Sequence, residues 1–153
     1  MIPKKKFRKG IFIVAYTLNN NRIPKYLILK RKLHWKGFEF PKGGKKSFET
    51  NQLAALREVK EETGLHVLRL KNHHLYGRYF YKKKMIDRVG FSGQSYVLFS
   101  AELNPGKIKL DKREHSRYEW LYFVSAIKKL THENQKECLR IVDKWINKNR
   151  NKN

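Results

Sequence analysis

Residues 43–65 read GGKKSFETNQLAALREVKEETGL, and this stretch predicts the centre of the fold. Its spacing favours a helix from about Thr50 to Thr63, with Gly64 as a left-handed C-terminal stop. At roughly 100° per residue, four charged side chains would share one arc of roughly 140°. They are Arg57, Glu58, Glu61 and Glu62. The opposite side of the helix is apolar and would pack on the rest of the protein.

The acidic arc is unusual because the rest of the chain is strongly basic. Four of the 13 acidic residues lie between positions 49 and 62, in a protein with 36 Lys+Arg and a formal net charge of +23. Glu58 and Glu62 are like charges at i,i+4, which disfavours an isolated helix by ~0.2–0.5 kcal/mol. A charged surface helix would tolerate that penalty. A hard divalent cation would instead reverse it, since magnesium and manganese prefer carboxylate oxygens.

The residues before this helix suit a polyphosphate. Gly43 and Gly44 permit a tight loop whose backbone carbonyl can approach a cation. Lys42, Lys45 and Lys46 place positive charge beside that loop. A metal–carboxylate cluster rimmed with lysines favours phosphate groups, and a glutamate that is not a ligand can activate water.

The same segment resembles the Nudix box, G-x5-E-x7-R-E-U-x-E-E-x-G-U with U apolar. All nine positions match: Gly43, Glu49, Arg57, Glu58, Val59, Glu61, Glu62, Gly64 and Leu65. Agreement in the seven fixed letters arises by chance on the order of once in 10⁸ placements. The resemblance implies a Nudix hydrolase, an α/β/α sandwich in which a mixed sheet carries the Nudix helix and a C-terminal helix. Such enzymes cleave nucleoside diphosphates linked to another moiety, with Mg²⁺ or Mn²⁺.

The resemblance also assigns metal ligands residue by residue. Glu58 and Glu62 are expected to bind the metal, and Glu61 is expected to be a further ligand or the general base. The sequence leaves open which glutamate is the base and how many metal ions bind.

Three other residues of the motif have expected roles around that metal. Gly43 would offer its carbonyl oxygen as a ligand. Arg57 and Glu49, counted with the catalytic residues, would orient the helix and the loop by a charge-assisted contact rather than touch substrate.

The flanks of the motif point to two kinds of substrate. Residues 35–43 (WKGFEFPKG) resemble the approach to the box in diadenosine tetraphosphate hydrolases, and also that in RNA 5′-pyrophosphohydrolases and decapping enzymes. In that group the lysine before the glycine holds phosphate, so Lys42 is the expected phosphate contact. Residues 93–99 (GQSYVLF) are similar to a run in the RNA pyrophosphohydrolases.

Residues 114–121 (EHSRYEWL) resemble a stretch of the asymmetric diadenosine tetraphosphate hydrolases. There an acid in the loop before the last strand completes the metal site, which gives that role to Glu114. The alternative is an exposed loop acid beside arginines. Glu102 and Glu119 suit the role less well because they lie inside predicted strands.

Aromatic side chains and further lysines are candidates for holding the rest of the substrate, since a ring face stacks on any base. The ring candidates are His34, Trp35, Tyr79, Tyr81 and Tyr118. For each of them, packing in the core is an equal alternative. Lys83, within the run 82–84, would reach distal phosphates or would lie on a solvated loop.

Composition limits these interpretations. The 153 residues form one domain, with basic, flexible tails expected at 1–9 and 147–153. The single Cys138 excludes a disulfide framework and a multi-cysteine zinc site. No apolar run reaches membrane-spanning length, so no membrane partner is expected. Residues 4–18 mimic a basic and apolar secretion signal but lack a cleavage pattern, which favours a cytoplasmic protein. The oligomeric state stays open.

Seven extended segments and two helices are predicted, which makes the fold α/β. The extended segments are residues 10–18, 25–32, 38–40, 66–71, 75–81, 95–103 and 118–123. Thr131 would cap a C-terminal helix with an apolar stripe that includes Cys138, Val142 and Trp145.

Three functions follow from the sequence. The preferred one is metal-dependent hydrolysis of diadenosine tetraphosphate to ATP and AMP. The alternative is removal of pyrophosphate or a cap from RNA 5′ ends, which the +23 charge favours. The third is a basic nucleic-acid-binding module without turnover.

Overall fold

The computed structural model describes residues 4–83 and 85–150, so Lys84 and both extreme ends lie outside the described residues. Within that part of the chain, seven strands form one sheet in the order β3-β2-β1-β6-β5, with β4 on β1 and β7 on β2. The strands are β1 Phe7–Leu18, β2 Pro24–Arg31, β3 Gly37–Glu39, β4 Lys42–Gly44, β5 Val67–Phe80, β6 Gly93–Leu103 and β7 His115–Leu121. The helices are α1 Asn51–Thr63, α2 Phe123–Lys129 and α3 Glu133–Asn149, with a 3₁₀ turn at Ile86–Arg88.

The sheet is mixed and is covered on both faces. β1 runs parallel to β6 and antiparallel to β2 and β4. Residues 11–16 of β1 are all buried, as expected for a central strand with helices on either side. Phe12 and Leu98 belong to the core under α3, whereas Ile11 and Phe99 belong to the core under α1. The predicted α/β/α sandwich is therefore confirmed.

The helix predicted from the acidic motif is confirmed at both ends. Thr50 precedes α1, and its hydroxyl accepts a hydrogen bond from the Leu53 backbone N–H at 3.2 Å. Gly64 follows with φ 74°, a left-handed conformation that glycine adopts without a side-chain clash.

The predicted tails are shorter in the structure. β1 begins at Phe7, inside the predicted tail 1–9, because residues 7–9 pair with Gly93–Ser95 of β6. At the other end α3 continues to Asn149, past the predicted start of the second tail at residue 147. Basic and polar residues therefore lie near the start of β1 and form the last residues of α3, since the backbone supplies the hydrogen bonds of both elements.

Two predicted boundaries were wrong. The segments 66–71 and 75–81 form one strand, β5, whose pairing with β6 shifts between Asn72 and Tyr76. The last strand ends at Leu121, and residues 123–129 form α2, a seven-residue helix that the sequence did not predict. α2 begins without a side-chain cap, so it lacks the usual sequence signal of a helix start.

The start of the C-terminal helix also differs. His132 precedes α3, and the Thr131 hydroxyl instead accepts a hydrogen bond from the Phe38 backbone N–H at 2.9 Å. Cys138 and Val142 are buried against the sheet as predicted, together with Leu139 and Ile146. Among the described residues, no helix is long and apolar enough to cross a membrane.

Candidate active site

Two glutamates of the acidic arc turn toward β4 rather than toward solvent. Glu58 is 8% exposed and Glu62 is 2% exposed. The Lys42 backbone N–H donates to Glu62 Oε2 at 3.3 Å. A Cβ atom on Gly43 would overlap the Glu58 carboxyl group, so glycine alone lets β4 approach this close. β4 covers these two glutamates, and the sequence pattern alone does not predict that burial.

Arg57 ties α1 to the loop that precedes it. Its guanidinium donates from Nε and Nη2 to the two carboxylate oxygens of Glu49, at 2.7 and 2.9 Å. Nη2 also donates to the Gly44 carbonyl at 2.8 Å. Nη1 donates to Glu58 at 2.8 Å and to Glu61 at 3.2 Å. The side-chain bond from Arg57 is the main reason that the pKa of Glu49 is lowered to about 2.

The charged forms of the two buried glutamates, Glu58 and Glu62, are unfavourable. Burial raises the pKa of Glu58 to about 7, although Arg57 opposes the shift. Burial and the nearby carboxylates of Glu58, Glu39 and Glu114 raise the pKa of Glu62 well above its usual range. Within the described chain, Glu62 Oε1 is buried without a hydrogen-bond partner. A cation placed between these carboxylates would remove the repulsion and supply that partner.

Glu114, immediately before β7, completes the cluster. Side-chain ligand atoms of Glu62, Glu114 and His115 all lie within 4.8 Å of one another. Glu114 remains one-third exposed, and its carboxylate lies 3.6 Å from Arg31 Nη1. These oxygen donors and the unpartnered atom of Glu62 fit a hard divalent cation. Gly43, Glu58, Glu61 and Glu114 share one cleft of about 100 Å³.

Three buried residues beside the cluster were missed by the sequence analysis. Arg31 Nη1 lies 3.4 Å from Glu39 Oε1, and both side chains are almost fully buried. His115 is completely buried, and its Nε2 lies 3.9 Å from the same oxygen, beyond hydrogen-bond distance. Burial alone would raise the pKa of Glu39, but Lys42, His115 and Arg31 lower it overall. Glu39 lies within residues 35–43 and His115 within residues 114–121, but only tertiary packing shows that the two side chains meet.

A second, larger cavity adjoins the carboxylate cleft. It measures about 740 Å³, and Arg31, Lys42 and Arg88 line both spaces. Five of the predicted substrate residues line it: His34, Lys42, Tyr79, Tyr81 and Lys83. Trp35, the remaining loop candidate, lines it as well. Lys42 Nζ lies 5.7 Å from the ring centroids of Trp35 and Tyr79, so its charge faces both rings.

The structure does not bring Tyr118 together with these residues. It pairs with Leu29, whose side chain belongs to the core under α1. The cavity opens on the other face of the sheet, where Phe12 and Tyr79 lie. Directly opposed residues of paired strands share a face, so Tyr118 lies on the opposite side of the sheet from the cavity.

The match to a known family is extensive. Residues 6–140 of the 153 match the NUDIX domain. The chain belongs to the Nudix family. The chain is therefore a Nudix hydrolase of the nucleoside polyphosphate type, and Nudix enzymes generally use divalent metal ions.

Individual Nudix relatives differ in substrate. The chain is 28% identical over 116 residues to an RNA pyrophosphohydrolase of a Nitratiruptor species, and the match covers 74% of this chain and 75% of that protein. A crystal structure of a C. elegans Ap4A (diadenosine tetraphosphate) hydrolase binary complex superposes with a TM-score of 0.75 and 25% identity, over 92% of this chain and 98% of that one.

A third relative supports the fold alone. The E. coli dihydroneopterin triphosphate pyrophosphohydrolase has a TM-score of 0.72 at 20% identity, over 90% of this chain and 97% of that one. The predicted family, fold and hydrolase class are confirmed, whereas these Nudix relatives act on different compounds.

Proposed function

We propose that this Nudix hydrolase is a bis(5′-nucleosyl)-tetraphosphatase of the asymmetrical type, which cleaves diadenosine tetraphosphate to ATP and AMP with Mg²⁺ or Mn²⁺. The observation that carries the proposal is that two neighbouring spaces share three cationic lining residues. The ring-lined cavity of about 740 Å³ would hold a nucleoside, and the carboxylate cleft would hold the reacting phosphates. Arg31, Lys42 and Arg88 line both, so a polyphosphate crossing between them would meet three cations.

Four residues would hold the metal. They are Glu58, Glu62 and Glu114, through carboxylate oxygens, and Gly43, through its backbone carbonyl. When bound, the ion would neutralise negative charge on the phosphate and lower the pKa of a water molecule bound to it.

The chain's own residues would position the substrate and accept the proton. Tyr79 or Tyr81 would stack on the base, and Lys42 would bind the phosphate oxygens. Glu61 is half-exposed at the cleft and would accept the proton of the attacking water on a carboxylate oxygen. The oxygen of water would bond to phosphorus as the phosphoanhydride bond breaks. The electron pair of the broken P–O bond would leave with the oxygen of the departing phosphate.

Replacing a buried carboxylate tests the site. Glu62→Gln is expected to reduce kcat for diadenosine tetraphosphate by at least two orders of magnitude under Mg²⁺ and under Mn²⁺, because the amide removes a charged ligand. Circular dichroism should show an unchanged fold. Glu137→Gln, at an exposed position on α3, is the matched control and should keep wild-type turnover. Wild-type turnover by Glu62→Gln would refute the metal assignment.

An RNA 5′-pyrophosphohydrolase is the second candidate. The relative from Nitratiruptor carries that name, and the net charge of +23 favours a long polyanion. A comparison of kcat/KM for diadenosine tetraphosphate and for 5′-triphosphorylated RNA, with products identified, decides between them. A hundredfold preference for RNA would reverse the order. Nucleotide binding without hydrolysis of any substrate would favour the non-catalytic module instead.

A further inference from the structure

One end of the sheet carries rings and cations on the face toward α1, and Phe80 at the edge of this group also borders the cavity. Residues two apart on a strand share a face, so Phe7 and Lys9 point to the same side as Ile11, toward α1. Phe7 and Phe80 are both paired with Gly93, and Lys9 and Arg78 are both paired with Ser95. Tyr76, Arg78 and Phe80 therefore lie on this face, where Tyr76 is 66% and Phe80 53% exposed.

We call this group of side chains the sheet-end patch. It consists of Lys5, Phe7, Lys9, Tyr76, Arg78 and Phe80. The rings of Phe7 and Phe80 meet edge to face at 5.2 Å above Gly93, which has no side chain to separate them. Lys5 Nζ lies 4.9 Å from the Phe80 ring centroid, and Arg78 Cζ lies 4.9 Å from that of Phe7.

We propose that the sheet-end patch binds single-stranded RNA outside the catalytic cavity. Exposed rings beside cations provide base stacking and phosphate contacts together, which is the combination that single-stranded nucleic acid uses. Tyr76, Arg78 and Phe80 follow one another along β5 at a spacing of roughly 6.8 Å, so a cation lies between two rings. An acidic peptide would use the cations but would have no need of the rings.

The charge of the molecule and the position of the patch support this partner. The chain has a net charge of +23, and Lys5, Lys9 and Arg78 are all exposed. Phe80 also borders the large cavity, so a strand on the patch ends near the nucleotide site. The patch does not include the proposed catalytic residues, so RNA binding and dinucleotide hydrolysis are separable.

The role of the charged residues of the patch is tested by measuring RNA binding in EDTA, which removes divalent metal ions and so prevents hydrolysis. Fluorescence anisotropy with a labelled twelve-nucleotide uridine RNA is measured between 50 and 300 mM NaCl. The variant K5A/K9A/R78A is expected to bind at least tenfold more weakly, with a salt slope smaller by about 2 because about 0.7 ions are released per phosphate contact. Its kcat/KM for diadenosine tetraphosphate should stay within twofold of wild type.

A matched variant separates the patch from the overall charge. K128A/K144A/K148A removes three exposed lysines from α2 and α3 and should bind RNA like the wild type. Equal losses in both variants would overturn the proposal, because diffuse attraction to a basic protein predicts that result. Polyglutamate that displaces the RNA at equal charge concentration would also overturn it and would favour an acidic protein partner.

The rings are tested separately. Tyr76→Ala should weaken RNA binding by about fivefold to a hundredfold without changing the salt slope, since stacking is lost and no charge changes. Tyr76→Phe keeps a ring face and should restore most of the affinity. Wild-type affinity in Tyr76→Ala would overturn the stacking contact. Failure of diadenosine tetraphosphate hydrolysis would refute the proposed catalytic function but leave these binding results unaffected.

Discussion

At Gly43 the backbone lies so close to Glu58, a proposed metal ligand, that an added Cβ atom would overlap its carboxyl group. We expect Gly43→Ala to reduce kcat at least tenfold and to weaken Mn²⁺ binding, because the added methyl group overlaps the Glu58 carboxyl group and must displace it. Isothermal titration calorimetry measures the metal affinity, and circular dichroism checks the fold. Gly106→Ala is the control, since its new Cβ would meet the flexible end of Leu65 at 3.1 Å and the Asn104 carbonyl oxygen at 4.0 Å. Unchanged metal affinity in Gly43→Ala would contradict this geometry.

His73 gives a pH dependence that is remote from the catalytic cleft. Its Nε2 lies 2.7 Å from the Ser100 hydroxyl, and its ring packs edge to face on Trp145. Burial, assisted by the positive charges of Lys71 and His74, lowers the pKa of His73 to about 4. Between pH 6.5 and 4 the unfolded chain therefore binds a proton that the folded chain does not bind.

The free energy of unfolding should consequently fall as the pH drops from 6.5 to 4. Proton uptake by His73 in the unfolded chain should lower the free energy of unfolding by up to about 3 kcal/mol at pH 4 and should have no effect above pH 7. Urea denaturation of wild type and His73→Gln at pH 7.5, 5.5 and 4.5 measures it, because the other titrating groups are common to both proteins. Parallel pH profiles would show that His73 takes up its proton in the folded state.

At the scale of elements, α1 shows what a pattern can and cannot predict. Its ends were predictable because Thr50 and Gly64 act through local backbone geometry. The burial of Glu58 and Glu62 was not, since it depends on β4, a three-residue strand whose glycines carry no strand signal. The carboxylates therefore lie between two elements and not on the open face of one.

The Arg57 contacts hold α1 and β4 together. Arg57→Lys retains the charge but cannot reproduce the paired bonds to Glu49 together with that to the Gly44 carbonyl. We expect a Tm lower by roughly 3–10 °C and a reduced kcat, measured by differential scanning calorimetry and by turnover. Arg140→Lys, on the exposed side of α3, is the control and should change neither value appreciably. An unchanged Tm in Arg57→Lys would mean that the contacts do not join the two elements.

For the whole molecule, the sandwich was predictable because its central strands β1, β2 and β6 contain apolar runs and one motif specifies the helix α1. The arrangement around the site was less predictable. Arg31, Glu39 and His115 come from three separate strands, β2, β3 and β7, and are brought together by the pairing of β2 with both others. Sequence patterns describe faces of single elements, whereas this cluster depends on register between elements. Tyr118 lies apart from the other substrate candidates for the same reason.

The net charge acts on every approaching substrate. A protein with a net charge of +23, whose cavity is lined by lysines and arginines, should attract a polyphosphate over a distance set by the Debye length. We expect kcat/KM for diadenosine tetraphosphate to fall roughly tenfold between 50 and 300 mM NaCl at constant saturating Mg²⁺. The value of kcat should change less than twofold, because salt screens the attraction between enzyme and substrate but does not affect the bond-breaking step. Sucrose at matched viscosity is the control for diffusion. A kcat/KM that is independent of salt would mean that the positive charge contributes nothing to substrate capture and must be explained by another partner.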